Sequence, residues 1–280
     1  MNMKNCRNLL LAAAVLVAAS SCSDKVQVKG TLAGAPDTQV VVKQLSGSTL
    51  VTLDTLKTDA SGAYSCKIDV LKGQPQFVYL FKGDTKIASL LLQKGDKVKV
   101  ASDTLGKYSV EGSEESEKLR QVEEDFAAFM DRFTADAAAG DNAAASKDYI
   151  DYYRSRTRYI MENSKSLTAI PVLYQKINDG FPVFSQATDA ILFQNVHDSL
   201  MTVYPESKYV GNLKKEAERR FNIFNLSQRI KDTKESSYPD LNLPGVDGTK
   251  VTLSEVDSKA VLVYFWQAAD AAQKMFNQDV

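Results

Sequence analysis

Tyr64-Ser65-Cys66-Lys67-Ile68-Asp69-Val70 alternates along its length, placing Tyr64, Cys66, Ile68 and Val70 on one side and Ser65, Lys67 and Asp69 on the other. A period of two marks a strand with one face buried and one wet. Working outward, the same alternation recurs at 26–32, 39–45, 50–58, 77–81, 87–92, 97–101 and 108–110, with this strand at 63–70. Between these runs lie Gly34-Ala35-Pro36-Asp37, Ser46-Gly47-Ser48, Asp59-Ala60-Ser61-Gly62, Lys82-Gly83-Asp84 and Lys94-Gly95-Asp96, all with turn chemistry. Short strands at this spacing predict an antiparallel β-sandwich of seven or eight strands over residues 22–112.

The period changes at Ser113. Leu119, Val122, Phe126, Phe129, Met130 and Phe133 recur at three and four positions behind a capping serine, which predicts a helix. Glu114, Glu115, Glu117, Glu123 and Glu124 crowd its start, where carboxylates complement the helix dipole. As a paired-carboxylate catalytic site the run lacks the apolar surroundings that would raise a pKa. Residues 135–145 are alanine-rich and contain Gly140 and Asp141, so they read as an irregular link. Further stripes follow at Ile150, Tyr153, Thr157 and Ile160, at Leu173, Tyr174 and Ile177 behind Pro171, and at Ile191, Leu192, Val196 and Leu200. Pro205-Glu206-Ser207 opens a last helix in which Val210, Leu213, Ala217, Phe221 and Phe224 face inward. About five helices are expected between residues 114 and 233, within a helical region at 113–235.

The 280 residues are 44% hydrophobic and 25% charged, an ordinary globular composition rather than a disordered one. Lys plus Arg number 34 and Asp plus Glu 35, which gives no electrostatic case for a nucleic-acid partner. His197 is the single histidine, which removes multi-histidine metal sites and makes a Ser-His-Asp triad a poor reading; it is taken as structural or exposed. Arg154, Arg156 and Arg158 alternate, so on a helix they fan outward instead of forming one anion clamp. There is neither a Gly-x-x-x-x-Gly-Lys-Ser/Thr loop nor a dinucleotide fingerprint, and no cofactor or metal is indicated. Cys66 reads as a small buried hydrophobe; a reactive thiol would need an electropositive, partly exposed niche. The aromatics Tyr64, Phe77, Tyr79 and Phe81 would permit ligand capture by the sandwich, although alternating aromatics in a sheet usually pack a core.

Residues 1–21 have the order of an export signal. Lys4 and Arg7 supply a positive start, and 9–19 is an uninterrupted apolar stretch too short to span a membrane. Ala19-Ser20-Ser21-Cys22 resembles the lipobox at which bacterial lipoprotein signals are cut. The resemblance implies cleavage before Cys22 and lipidation of that residue, palmitate among its acyl chains, which together hold stably where one chain alone would not. Loss of 1–21 removes two cations and no acid, leaving a net charge of −3.

Tyr238-Pro239-Asp240-Leu241-Asn242-Leu243, Asp247-Gly248-Thr249-Lys250-Val251-Thr252-Leu253-Ser254 and Lys259-Ala260-Val261-Leu262-Val263-Tyr264-Phe265-Trp266 are similar, in order, to the start of envelope thioredoxin-like proteins. The residues themselves suggest a hairpin around Asp247-Gly248 and then an apolar strand buried on both faces, at 260–266. In the resembled family a Cys-x-x-Cys follows at a helix N-terminus, where the dipole favours a thiolate. Here those positions hold Asp270 and Gln273, which cannot exchange disulfides; Asp270 is expected to cap the helix instead. A thioredoxin fold would continue beyond Val280, so either the sequence is a fragment or something else covers that strand.

The whole order is similar to a family of Gram-negative envelope lipoproteins whose N-terminal domain is of unknown function. The expectation is an α+β multidomain chain: signal peptide 1–21, sandwich 22–112, helical region 113–235 and an incomplete thioredoxin-like segment 236–280. It would be anchored through Cys22, in the outer membrane, facing the periplasm or the cell surface. Its role would be binding or assembly with an envelope protein partner, and without catalytic residues. The alternative is a thiol-disulfide oxidoreductase or peroxidase represented by a fragment.

Overall fold

The computed structural model describes residues 25–232, 240–245, 247–258 and 260–263. Cys22, Asp270 and Gln273 lie outside the described residues, as does the stretch 264–266. The chain divides into two compact units, Met1–Leu226 and Ser227–Val280.

The first unit begins with eight strands: β1 (Lys25–Leu32), β2 (Gln39–Ser46), β3 (Thr49–Lys57), β4 (Ala63–Asp69), β5 (Gln76–Lys82), β6 (Thr85–Leu92), β7 (Lys97–Ser102) and β8 (Tyr108–Glu111). They form two four-stranded sheets, ordered β4-β1-β7-β8 and β3-β2-β5-β6. Pairing is antiparallel throughout except between β1 and β7, which run parallel with Lys29 opposite Lys99. Hairpins stay within a sheet, and the chain changes sheet at the turns that follow β1, β3, β4 and β6. One such corner shows the chemistry. Asp59 Oδ1 accepts from Ser61 N (2.8 Å) and Ala63 N (2.9 Å), while Gly62 takes φ +81° and lies so close to Leu32 O that a Cβ there would sit 2.3 Å from it. Val26, Val28, Val40, Val42, Leu80 and Val98 fill the space between the sheets.

The outer face of the second sheet is also covered. β6 is buried from Ile87 onward on both faces, and Phe77, Tyr79 and Leu91 belong to a second core shared with the helices. The unit is therefore three layers: sheet, sheet, helices. The helices are α1 (Glu114–Ala138), α2 (Asn142–Glu162), α3 (Ala169–Leu173), α4 (Ala190–Met201) and α5 (Lys208–Asp232), with a small hairpin of β9 (Lys176–Asn178) and β10 (Phe181–Pro182) after α3. The helix count agrees with the sequence reading, and the hairpin was not anticipated.

α1 closes the edge at which β6 and β8 end their sheets. Ser116 Oγ accepts from Leu91 N (3.0 Å) and donates to Leu91 O (3.1 Å), so one hydroxyl satisfies both outward backbone groups of an edge-strand residue. Two turns later Glu123 accepts from Ser89 Oγ (2.8 Å), Lys86 Nζ (2.7 Å) and Tyr108 Oη (3.1 Å), fastening the helix to both sheets.

Several sequence readings need correction here. The link expected at 135–145 shrinks to Ala139, Gly140 and Asp141, because alanine favours helix: α1 runs on to Ala138, and Asp141 caps α2 by accepting from Ala144 N at 2.9 Å. The stripes on α2 and α4 are rotated from those expected. Ile150 and Ile191 are each 44% exposed, whereas Arg156 and His197 are buried. On α2 the inward positions are taken by Ala145, Tyr152, Arg156 and Ile160, with Tyr152 stacked on Phe129 at 4.2 Å. Phe221, expected inward on α5, is 38% exposed.

In the second unit β11 (Asn242–Pro244) and β12 (Lys250–Thr252) form the hairpin expected around Asp247-Gly248. Gly248 supplies φ +80°, and Asp247 Oδ1 accepts from Thr249 N at 3.0 Å. Ala260 to Val263, expected to open a buried strand, lie in none, and Leu262 is 92% exposed.

Candidate functional site

β2 and β5 part company one residue early. Their register, Gln44 opposite Val78, would next set Leu45 opposite Phe77, but the ladder stops there. A phenol takes its place: Tyr209 Oη of α5 accepts from Phe77 N (3.2 Å) and donates to Leu45 O (3.0 Å). The Tyr209 ring meets Phe77 edge-on, with centroids 4.9 Å apart and planes at 81°. The helical layer is thus wedged into the end of the sheet through one buried side chain.

A cavity of about 600 Å³ opens beside this wedge. Its sheet wall is Leu45, Phe77 and Tyr79, its helical wall Ile170, Pro171, Tyr174, Tyr209 and Leu213, and Ser48 and Asn212 stand at its exposed rim. This size and this mostly apolar, aromatic lining with a few polar atoms are what small-ligand sites use. Tyr174 is 42% exposed and meets Phe193 edge-on at 5.7 Å. Burial pushes the phenols of Tyr79, Tyr174 and Tyr209 above their ordinary range, for Tyr79 with help from nearby Glu123. At neutral pH they remain protonated, serving as hydrogen-bonding groups and not as bases. The lining holds no carboxylate, amine, imidazole or thiol among the described residues. What the lining offers is apolar contact, ring faces and a few hydrogen-bonding groups.

The residues singled out in the sequence fall elsewhere. Cys66 is a free, buried thiol in the sandwich core, pushed up to about 11 by burial and then by Asp54. Tyr64 also points into that core, over Gly30; its hydroxyl and that of Ser102 lie near each other without a well-formed hydrogen bond. Phe77 and Tyr79 do face a second core, and Phe81 lies under Lys43 Nζ, 4.6 Å from the ring centre. The acidic run pairs along α1: Glu114 and Glu115 with Lys118, and Glu117 and Glu124 with Arg120. His197 Nδ1 is 2.9 Å from Asp198 Oδ1, and its Nε2 is buried with no partner.

The alternating arginines do not all face solvent, which corrects their reading. Arg156 is 8% exposed, pairs with Asp125 at 2.8 Å and lies between the rings of Tyr152 and Tyr159. The sequence reading passed over Tyr209, Ile170 and Leu45. Tyr209 did leave a trace: it precedes Leu213 by four and Ala217 by eight, on the face already read as inward.

Comparison with known families bears on the first half of this unit. Residues 26–119 match DUF4369, a domain of unknown function. The match supplies the sheet wall of the cavity and ends on α1 just past Ser113 and Ser116, whereas the helical wall lies outside it. A search of curated proteins finds no match. Among the described residues no helix is long and apolar enough to cross a membrane, and no three His, Cys, Asp or Glu side chains cluster as metal ligands.

Proposed function

We propose that the protein is an envelope lipoprotein, anchored through Cys22 in the outer membrane of a Gram-negative bacterium, that binds an apolar or aromatic small molecule between its sandwich and its helices. The observation that carries the binding role is the cavity of about 600 Å³ at the Tyr209 wedge, whose walls offer ring faces and protonated hydroxyls. The ordered signal region and the lipobox-like Ala19-Ser20-Ser21-Cys22 support the anchor, and Asp270 and Gln273 in place of paired cysteines favour binding over disulfide exchange. The ligand's apolar body would lie against Phe77, Tyr79 and Tyr174, and a polar end would meet Ser48 and Asn212 at the rim.

The test uses N-phenyl-1-naphthylamine, an uncharged apolar probe, with the unacylated Cys22→Ser mature chain in detergent-free buffer, because micelles would themselves take up the probe. Saturable binding at one site per chain is expected, with loss in Ile170→Trp, which fills the cavity from its helical wall. Equal binding by both proteins overturns the cavity as the site. Intact mass of the extracted protein reads the acylation of Cys22 independently, and turnover in a disulfide-reduction assay that survives Cys66→Ala would replace the binding role with the oxidoreductase one.

A further inference from the structure

The outer face of the β4-β1-β7-β8 sheet is the side of the unit turned away from the helical layer. It presents Lys25 and Lys29 of β1, Lys67 of β4, and Lys97 and Lys99 of β7, all exposed, against two acids, Asp69 and Glu111. The register brings the cations together: Lys29 stands beside Lys99, and Lys67 and Lys97 flank Gln27 from either side. The acids stand opposite Lys25 and Lys99, while Lys29 has Ser65 across its other side. Like charges directly opposite on a sheet face repel, so this arrangement gains from an anionic surface laid against it. An open trough of about 770 Å³ crosses the same region, its charged lining being Lys29, Lys57 and Lys99 with Asp59 and Glu111, and Lys57 pairs with Asp37 at 3.0 Å.

The position of the face relative to the anchor residue supplies the partner. β1 begins at Lys25, three residues after Cys22, a span of at most about 10 Å even when extended. That is close to the screening length of about 8 Å at physiological salt, so Lys25, Lys67 and Lys97 at this end of the sheet stand within reach of headgroup charge. Tilting the sheet about the tether brings down Lys29 and Lys99. We propose that this lysine face rests on the anionic headgroups of the leaflet that holds the lipid anchor, leaving the helical layer and its cavity turned away from the membrane. The inference rests on the lipoprotein reading of Cys22.

Two measurements test it. Acylated protein in vesicles of phosphatidylethanolamine with phosphatidylglycerol is acetylated briefly, and lysine reactivity is compared with that in vesicles of phosphatidylcholine alone. Lys29, Lys67, Lys97 and Lys99 should be protected several-fold only by the anionic vesicles, with Lys147 and Lys215 on the helices unchanged, and the protection should disappear at high salt. Equal labelling in both vesicles overturns the proposal. So does protection seen only in native envelopes, which would assign the face to an acidic protein. In the second measurement the unacylated Cys22→Ser mature chain is sedimented with anionic vesicles. Binding should weaken about fivefold for each of Lys29→Gln, Lys67→Gln and Lys97→Gln. If intact mass shows no acyl group on the native chain yet this binding holds, the anchor reading fails and the surface stands. If the chain is acylated and neither measurement responds to lysines or anionic lipid, the surface fails alone.

Discussion

Removing one oxygen atom tests whether Tyr209 holds the sheet and the helices together. In Tyr209→Phe the ring keeps its edge-on contact with Phe77, but Phe77 N–H and Leu45 C=O lose the group that bridges them at 3.2 and 3.0 Å. Tyr209 is 4% exposed, so the backbone groups it serves are poorly placed to find solvent. Each hydrogen bond contributes about 1 kcal/mol net, and stranding a buried donor or acceptor costs about 1–3 kcal/mol. The cavity alongside admits water that can recover part of this, which places the expected loss near 2 kcal/mol. For a folded unit of this size that lowers Tm by about 4–8 °C. Urea and thermal unfolding followed by circular dichroism measure it directly. Tyr174→Phe is the control, because Tyr174 is 42% exposed and its loss of a hydroxyl should stay within about 0.5 kcal/mol. A Tyr209→Phe protein within about 0.5 kcal/mol of the parent would refute the claim that the phenol replaces a ladder bond.

Three further outcomes are expected. Gly30→Ala would place a Cβ 2.0 Å from Tyr64 Cζ and should destabilise by about 1–3 kcal/mol, with clear non-additivity against Tyr64→Ala in a double-mutant cycle on urea unfolding; independent effects would remove the pairing. Cys66, pushed up to about 11 by burial, should react with iodoacetamide at pH 8 at least about a hundredfold more slowly in the native protein than in urea, and comparable rates would show an accessible thiol. Glu117 and Glu216 are held below the ordinary glutamate range, the first by hydrogen bonding to Arg120 and the second by Arg219 and then Arg220. Their contribution is present above the unfolded pKa of about 4.3 and is lost as pH falls through the lower folded values, so Tm should be level from pH 7 to 5 and drop below about pH 4.5; a rise on acidification would contradict the sign.

All eight sandwich strands were legible, β1, β4 and β7 from the alternation of dry and wet residues and the others from short apolar runs between turns with specific backbone needs, although β3 is exposed along nearly all its length and β6 is buried on both faces. Alternation cannot reveal which strands become neighbours. The parallel pairing of β1 with β7 follows from where the chain changes sheet, and no local pattern encodes it. The helices were legible as elements but not in their rotation. Arg156 reads as a surface residue by type and is buried only because Asp125 and two tyrosine rings receive it. The cavity was the least legible feature. It forms where a ladder ends early and a phenol from more than 130 residues downstream fills the gap, a coincidence of distant segments that periodicity does not record.

The DUF4369 match runs past the last strand into α1, and the way Ser113 and Ser116 close the β6 edge is a physical reason for it. A sandwich of residues 26–112 alone would leave β6 as an edge strand with Leu91 N–H and C=O directed outward, and Ser89 and Tyr108 without the carboxylate that joins them. Ser113 and Ser116 supply the partners for Leu91, and Leu119 fills the core beneath the helix, so the first turns of α1 complete the fold of the sheets. The cavity is built differently, with one wall inside the matched residues and one outside. Exchange of residues on α3 and α5 can therefore reshape the cavity while α1 keeps the sandwich closed, and the Leu45 and Phe77 backbone groups remain available to an aromatic hydroxyl at position 209.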